Sequence, residues 1–250
     1  FTPNENTTKS IYVYGSYTDN NGCSDVTSLT LQLYQNGSAS SGCGYNDNRC
    51  YNSNSTGYSC NFTSVPGDAC SGGADTTANF ECTVPVQYFA EATDAGTYSG
   101  NYWVGLITAT DASLSSGTNS GSFELNTLTA LDVGSSINYG SLSLSAFSPE
   151  VTVSITNTGN KDPLAVHLAG TDMACTVGSI PVGKQHYSSA SGAAYGASNA
   201  LTNVSTASGL SIIKATSAGS PSSGNLYWKL EVPSSGLNGT CSGTTTFTGA

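Results

Sequence analysis

Short stretches of two-residue alternation, broken about every 8–12 residues by Gly, Asn, Ser and Asp, constrain this chain more than any other feature. Successive side chains of a strand point to opposite faces, so apolar–polar alternation makes one face fit for a core and the other for water. Residues 27–34 (TSLTLQLY) set Leu29, Leu31 and Leu33 on one side, Thr30 and Gln32 on the other. Residues 78–88 (ANFECTVPVQY) do the same with Phe80, Cys82, Val84 and Val86. Pro85 predicts that this strand is an edge or carries a bulge, because proline cannot donate to a ladder. Residues 101–110 (NYWVGLITAT) predict a central strand, and 122–126 (SFELN) close the first series.

A second series runs through 128–133, 139–144 (YGSLSL) and 151–156 (VTVSIT). Asn157-Thr158-Gly159-Asn160 then predicts a tight hairpin turn using positive φ, with 164–168 (LAVHL) as the returning strand. Weak strands are expected at 201–204 and 210–214, stronger ones at 225–232 (NLYWKLEV) and 241–247. A Trp near the start of a late strand recurs in Asn101-Tyr102-Trp103-Val104 and Asn225-Leu226-Tyr227-Trp228. No stripe of helical period exists, which excludes a helical bundle. The expectation is an all-β chain of two β-sandwich domains, residues 1–127 and 128–250.

The eight cysteines divide between these halves: Cys23, Cys43, Cys50, Cys60, Cys70 and Cys82, then Cys175 and Cys241. With no CxxC and no His beside a Cys pair, structural disulfides of an oxidising compartment are expected rather than zinc. The first six allow fifteen connectivities, whereas the later pair allows one. Cys175–Cys241 would close a loop of about 66 residues and stabilise by about 4 kcal/mol in the chain-entropy view. Six Lys and Arg against sixteen Asp and Glu cannot build a phosphate-tracking groove, which argues against nucleic acid. No run of about 18 apolar residues offers a membrane span. The chain opens at Phe1 in a polar stretch, read as a mature exported form with its signal removed. Sequons stand at Asn6, Asn36, Asn54, Asn61, Asn203 and Asn238, about as many as a chain this rich in Asn, Ser and Thr gives by chance.

Chemistry has few footholds. His167 alternates with Val166 and Leu168 on the polar face of a strand, and His186 follows a predicted turn; both read as solvent-facing. Gly239-Thr240-Cys241-Ser242-Gly243 imitates a nucleophile elbow, but Cys241 is better used in a disulfide. The carboxylates are scattered, and no enzyme is expected. Asp19, Asn21 and Asp25 place hard oxygen ligands around Gly22, so calcium is weighed against a plain Asx-rich turn, with Glu91 and Asp94 as further candidate ligands. Tyr12, Tyr14, Tyr17, Tyr45, Tyr51 and Tyr58 could stack sugars or pack over disulfide-rich loops, and packing is preferred.

Asp94-Ala95-Gly96-Thr97-Tyr98 resembles the tyrosine corner of immunoglobulin-like sandwiches, which implies a Tyr98 hydroxyl bonded back to the backbone. Gly100 stands where that family carries its core cysteine, so the resemblance implies the architecture without the inter-sheet bridge. The run from Val151 to Asn160, followed by Leu164-Ala165-Val166, is similar to a V-T-x-x-x-T-N-T-G-N-x-x-L-x-V signature of immunoglobulin-like modules in prokaryotic exported surface proteins. With Gly140-Ser141-Leu142 before it, it also resembles the core of TasA/camelysin-type fibre subunits. Both resemblances imply a fold and no site.

Residues 10–17 (SIYVYGSY) carry apolar side chains on both faces, Ile11 and Val13 on one, Tyr12 and Tyr14 on the other. A strand of this kind belongs between two layers. Behind a polar arm of residues 1–9, it is either the first strand of its own domain or an assembly strand that completes a neighbour's sheet. The expectation is a non-enzymatic, extracellular, cell-surface structural protein: the repeating subunit of a filament, partnered by copies of itself, with glycans as a further candidate partner. The competing readings are a monomeric adhesive or carbohydrate-binding module and a surface-layer component.

Overall fold

A computed structural model describes residues 1–38 and 48–250. Cys43 and Tyr45 lie outside the described residues. The chain divides into two compact units: Phe1–Leu128 with Thr216–Ser220, and Thr129–Ala215 with Pro221–Ala250. All regular structure among the described residues is antiparallel strand, apart from single 3-10 turns.

The first unit contains β1 (Thr8–Thr18), β2 (Val26–Gln35), β3 (Cys50–Tyr51), β4 (Ser59–Asn61), β5 (Thr77–Gln87), β6 (Trp103–Asp111) and β7 (Ser116–Phe123). They form two sheets, ordered β1-β5-β4 and β3-β2-β6-β7. Leu31 and Leu33 of β2 and Val84 and Val86 of β5 are fully buried in one shared core. Each of these side chains contributes about 1.5–3 kcal/mol by leaving water. Trp103 opens β6, stacks on Tyr51 and donates its indole N–H to the Glu91 carbonyl at 2.8 Å. The β5 strand is central, not an edge, and its ladder with β1 runs without a bulge. Pro85 is accommodated because the β4 pairing has already ended at Thr83.

The second unit contains β8 (Leu131–Val133), β9 (Val151–Asn157), β10 (Leu164–Gly170), β11 (Met173–Val177), β12 (Ser179–Ile180), β13 (Gln185–Ser188), β14 (Asn199–Ala200), β15 (Thr206–Ile212), β16 (Ser223–Leu230), β17 (Asn238–Ser242) and β18 (Thr245–Gly249). A five-stranded sheet, β14-β13-β16-β9-β8, and a three-stranded sheet, β15-β10-β18, bury Ile155, Leu226 and Trp228 together with Val166 and Leu168. A smaller sheet, β12-β11-β17, carries the disulfide Cys175–Cys241 across directly paired residues. In the first unit Cys60–Cys82 likewise spans a ladder pair, and Cys23–Cys70 ties the loop after β1 to the loop before β5.

Three further sequence expectations fail here for identifiable reasons. The Asn157–Asn160 segment is no hairpin, since β9 and β10 belong to different sheets. Its turn uses no positive φ; the buried Asn157 amide donates to the Lys161 and Ile212 carbonyls, and its Oδ1 accepts from Gly159. Residues 139–144 are not a strand, because Gly140 at φ +73° and Ser145 at φ +59° bend the chain out of extension. The third is the free arm. The Phe1 ammonium donates to the Glu124 carbonyl, Asn126 donates back to the Phe1 carbonyl, and the Phe1 ring packs edge-on against Phe123.

Candidate functional site

In the first unit β1 and β7 are the outer strands of their sheets, and neither has a partner on its outer edge among the described residues. A groove of about 650 Å³ lies along them. Val26, Leu29, Phe80, Ile107 and Ala109 line it from the core side. Its depth follows from missing side chains. Paired residues of antiparallel strands share a face, and the partners of Trp103, Gly105, Ile107 and Ala109 on β7 are Phe123, Gly121, Asn119 and Gly117. Beyond Phe123 the strand therefore offers glycine, asparagine and glycine where a closing strand would offer bulk. A Cβ at Gly117 or Gly121 would meet nothing within 4 Å.

Ile11, Tyr12, Val13 and Tyr14 all belong to β1, the first strand of its own sheet. Ile11 and Val13 pack against the core, opposite Val84 and Cys82. Tyr12 and Tyr14 are 62% and 79% exposed, which corrects the expectation that this ribbon is covered on both faces. Tyrosine tolerates this position because its ring is apolar and its hydroxyl is hydrated. From Ser10 to Thr18 the β1 strand carries no charge, proline or bulge, the devices that normally protect an edge.

One mouth of the groove is acidic. Asp19 and Asp111 line it, and carboxylate oxygens of Asp19, Asp25 and Asp111 lie within 4.8 Å of one another. Asp19 Oδ1 accepts the Asn21 amide at 2.8 Å, and Asp111 Oδ1 accepts Ser115 at 2.8 Å. The three carboxylates are hard oxygen ligands of the kind calcium takes. Asn21 meets the trio through its backbone amide, held by Asp19 Oδ1. Glu91 and Asp94 do not approach it. Glu91 faces Arg49 and Asn48, and Asp94 Oδ1 accepts both Thr127 groups. Asp111 escaped the sequence reading because only the β2–β6 pairing brings it to the Asp25 end of the sheet.

Other expected residues fall elsewhere. Tyr17 donates to the Phe62 carbonyl at 2.7 Å and Tyr58 accepts the Leu31 amide at 2.8 Å. With the buried Tyr51, they pack rather than present sugar platforms. Where the tyrosine-corner resemblance implies a backbone partner, the Tyr98 hydroxyl receives the Arg49 guanidinium, which also lies over its ring. His167 is half-buried in β10. His186 is not simply solvent-facing: its ring stacks on Tyr195 at 3.9 Å, and Nδ1 lies 2.9 Å from the Tyr195 carbonyl. Cys50 is disulfide-bonded and Cys241 is tied to Cys175. Among the sequons Asn6, Asn54, Asn61, Asn203 and Asn238 are exposed, and Asn36 is half-buried with Oδ1 on the Tyr102 amide.

No protein-family model matches the chain. No curated protein matches it either. Among solved structures, it is similar to a chain of the CsuC–CsuE chaperone–tip adhesion subunit pre-assembly complex from archaic chaperone-usher Csu pili of Acinetobacter baumannii. That match has 10% identity and a TM-score of 0.41, over 100% of this chain and 96% of the other. A chain of the chaperone–tip adhesin complex of CFA/I fimbriae biogenesis matches at 8% identity and a TM-score of 0.32, over 98% and 84%. The secreted serine protease VesC of Vibrio cholerae matches at 7% and 0.22, over 100% of this chain and 48% of that one. Likeness at these scores carries no functional reading.

Proposed function

We propose that this is a non-enzymatic extracellular structural protein, the repeating subunit of a cell-surface filament, built of two immunoglobulin-like sandwiches and assembling by β-strand addition. The observation that carries the reading is the apolar groove between the edges of β1 and β7, unpaired among the described residues. An extended segment of a neighbouring copy laid there would bond to an open backbone edge and set alternate side chains on Leu29, Phe80 and Ile107. A contact of this kind is heterologous and need not close, so it propagates a filament. The role of the opening strand changes accordingly: β1 is the receiving edge, and the donor comes from elsewhere in the neighbour. The scarcity of Lys and Arg suits such a polymer, since trypsin-like proteases find few sites.

Native material examined by electron microscopy and sedimentation should contain threads and large species. Gly117→Leu with Gly121→Leu adds bulk to the groove from β7, at positions where a Cβ meets nothing within 4 Å, and should leave monomers. Monomeric wild-type protein, or a variant that assembles like wild type, refutes the reading.

A further inference from the structure

The second unit carries an aromatic group that filament assembly does not use. Phe147 is 55% exposed, and its ring leans on Tyr195 at 4.9 Å. Tyr195 in turn stacks on His186 and donates its hydroxyl to the Lys184 carbonyl at 3.1 Å. The loop bearing Tyr195 is held from beneath. Glu150 accepts the Ser191 hydroxyl at 3.0 Å and the Gly192 amide at 2.9 Å, and Lys229 reaches the Ala193 carbonyl. A backbone bridge between Phe147 and Glu231 brings the phenyl ring beside the Lys184–Glu231 ion pair, whose N–O distance is 2.7 Å. The result is a fixed apolar face the size of one ring, bordered by a carboxylate with further acceptor sites and an ammonium with further donors.

We propose that Phe147, backed by Tyr195 and flanked by Lys184 and Glu231, is a stacking platform for a pyranose ring of a neutral polysaccharide. A sugar ring has apolar C–H faces and a rim of hydroxyls, matching a ring face with polar groups at its edge. A peptide partner would want a broader apolar area than one ring among charged groups. A neutral glycan fits better than an acidic one because the chain carries a net charge of -10. The Tyr195 phenol is pushed up to about 12 by burial and then by the nearby Glu231 carboxylate, so it remains a neutral donor at physiological pH.

The test is titration calorimetry and ligand-observed NMR with hexasaccharides of glucose, mannose and N-acetylglucosamine, using the groove-filled protein so that assembly plays no part. At least one should bind, and Phe147→Ala should weaken it about tenfold or more, with only a small drop in melting temperature because the ring is half-exposed. Phe147→Trp should retain binding. Tyr14→Ala, at an exposed aromatic of the other unit, should not alter it. No binding by any of the three sugars at millimolar concentration, or equal binding by Phe147→Ala, overturns the proposal. Equal loss in Tyr14→Ala also overturns it, since that reports nonspecific adhesion to exposed rings.

Discussion

Trp103 and Trp228 occupy comparable places, each fully buried in a strand at the centre of its sheet. They differ in one atom's surroundings. Trp103 Nε1 donates to the Glu91 carbonyl at 2.8 Å, whereas Trp228 Nε1 is buried without an acceptor among the described residues. Replacing each by Phe removes the same atoms, so the transfer and cavity terms cancel to first order when the two variants are compared. Trp103→Phe loses a net hydrogen bond, about 1 kcal/mol. Trp228→Phe removes a desolvated donor, relieving about 1–3 kcal/mol. Trp103→Phe should therefore destabilise its unit by about 2–4 kcal/mol more than Trp228→Phe destabilises the other. Fluorescence is the wrong probe, because each variant keeps only the tryptophan of the unaltered unit. Amide hydrogen exchange in β6 and β16 reads the correct unit in each case. Equal losses of protection, or a larger loss at β16, would sink the reasoning.

Three further outcomes follow from the same structure. Replacing Cys175 and Cys241 by Ala opens a loop of sequence separation 66 and should cost the second unit about 4 kcal/mol; a urea midpoint unchanged by the double substitution contradicts this. If Asp19, Asp25 and Asp111 hold calcium, the ion at 100 times its Kd should stabilise the first unit by about 2.7 kcal/mol. Asp111→Asn should abolish that gain, and identical melting in calcium and in chelator dismisses the site. Acid should loosen the second unit through two carboxylates. Glu231 is held below the usual carboxylate range by its bond to Lys184, and Glu150 is lowered too, where burial opposes the shift but the Gly192 amide and the Ser191 hydroxyl outweigh it. A depressed folded-state pKa means the unfolded chain binds protons first. This stability is thus complete above the ordinary carboxylate pKa and lost as pH falls through the lowered one. Glu150→Gln with Glu231→Gln should flatten the melting curve against pH in that acid range, and an unchanged slope would count against both pairs.

Alternation revealed strands wherever a partner existed to pair them. Leu29, Leu31 and Leu33 are buried where the pattern put them, because β6 lies alongside β2 and the core lies beneath. Residues 139–144 show the limit: the same pattern, interrupted by backbone with positive φ, makes no ladder. The Asn157–Asn160 turn was legible as a turn but not as a crossing between sheets, since that depends on where Asn157 finds carbonyls 4 and 55 residues away. Tyr12 and Tyr14 misled because an aromatic side chain reads as apolar although its exposed face is tolerated in water. Asp111 and the Phe147 platform were invisible for one shared reason. Their partners are remote in sequence and meet only through strand register or loop closure.

The groove shows the converse, a site marked by residues that read as having nothing to say. Residues 116–123 (SGTNSGSF) look like turn material, rich in the residues that punctuate loops, and only their end alternates like a strand. In the fold they form an eight-residue strand, exposed along most of its length, in full register with β6. Glycine weakens a strand because it packs nothing and costs backbone entropy, so two of them on the core-facing side carry a stability penalty. That penalty coincides with an unguarded β1 edge across the same groove. Either feature alone would be an ordinary defect of an outer strand. Together they keep open an apolar trough with a hydrogen-bonding edge, which is the shape an incoming strand requires.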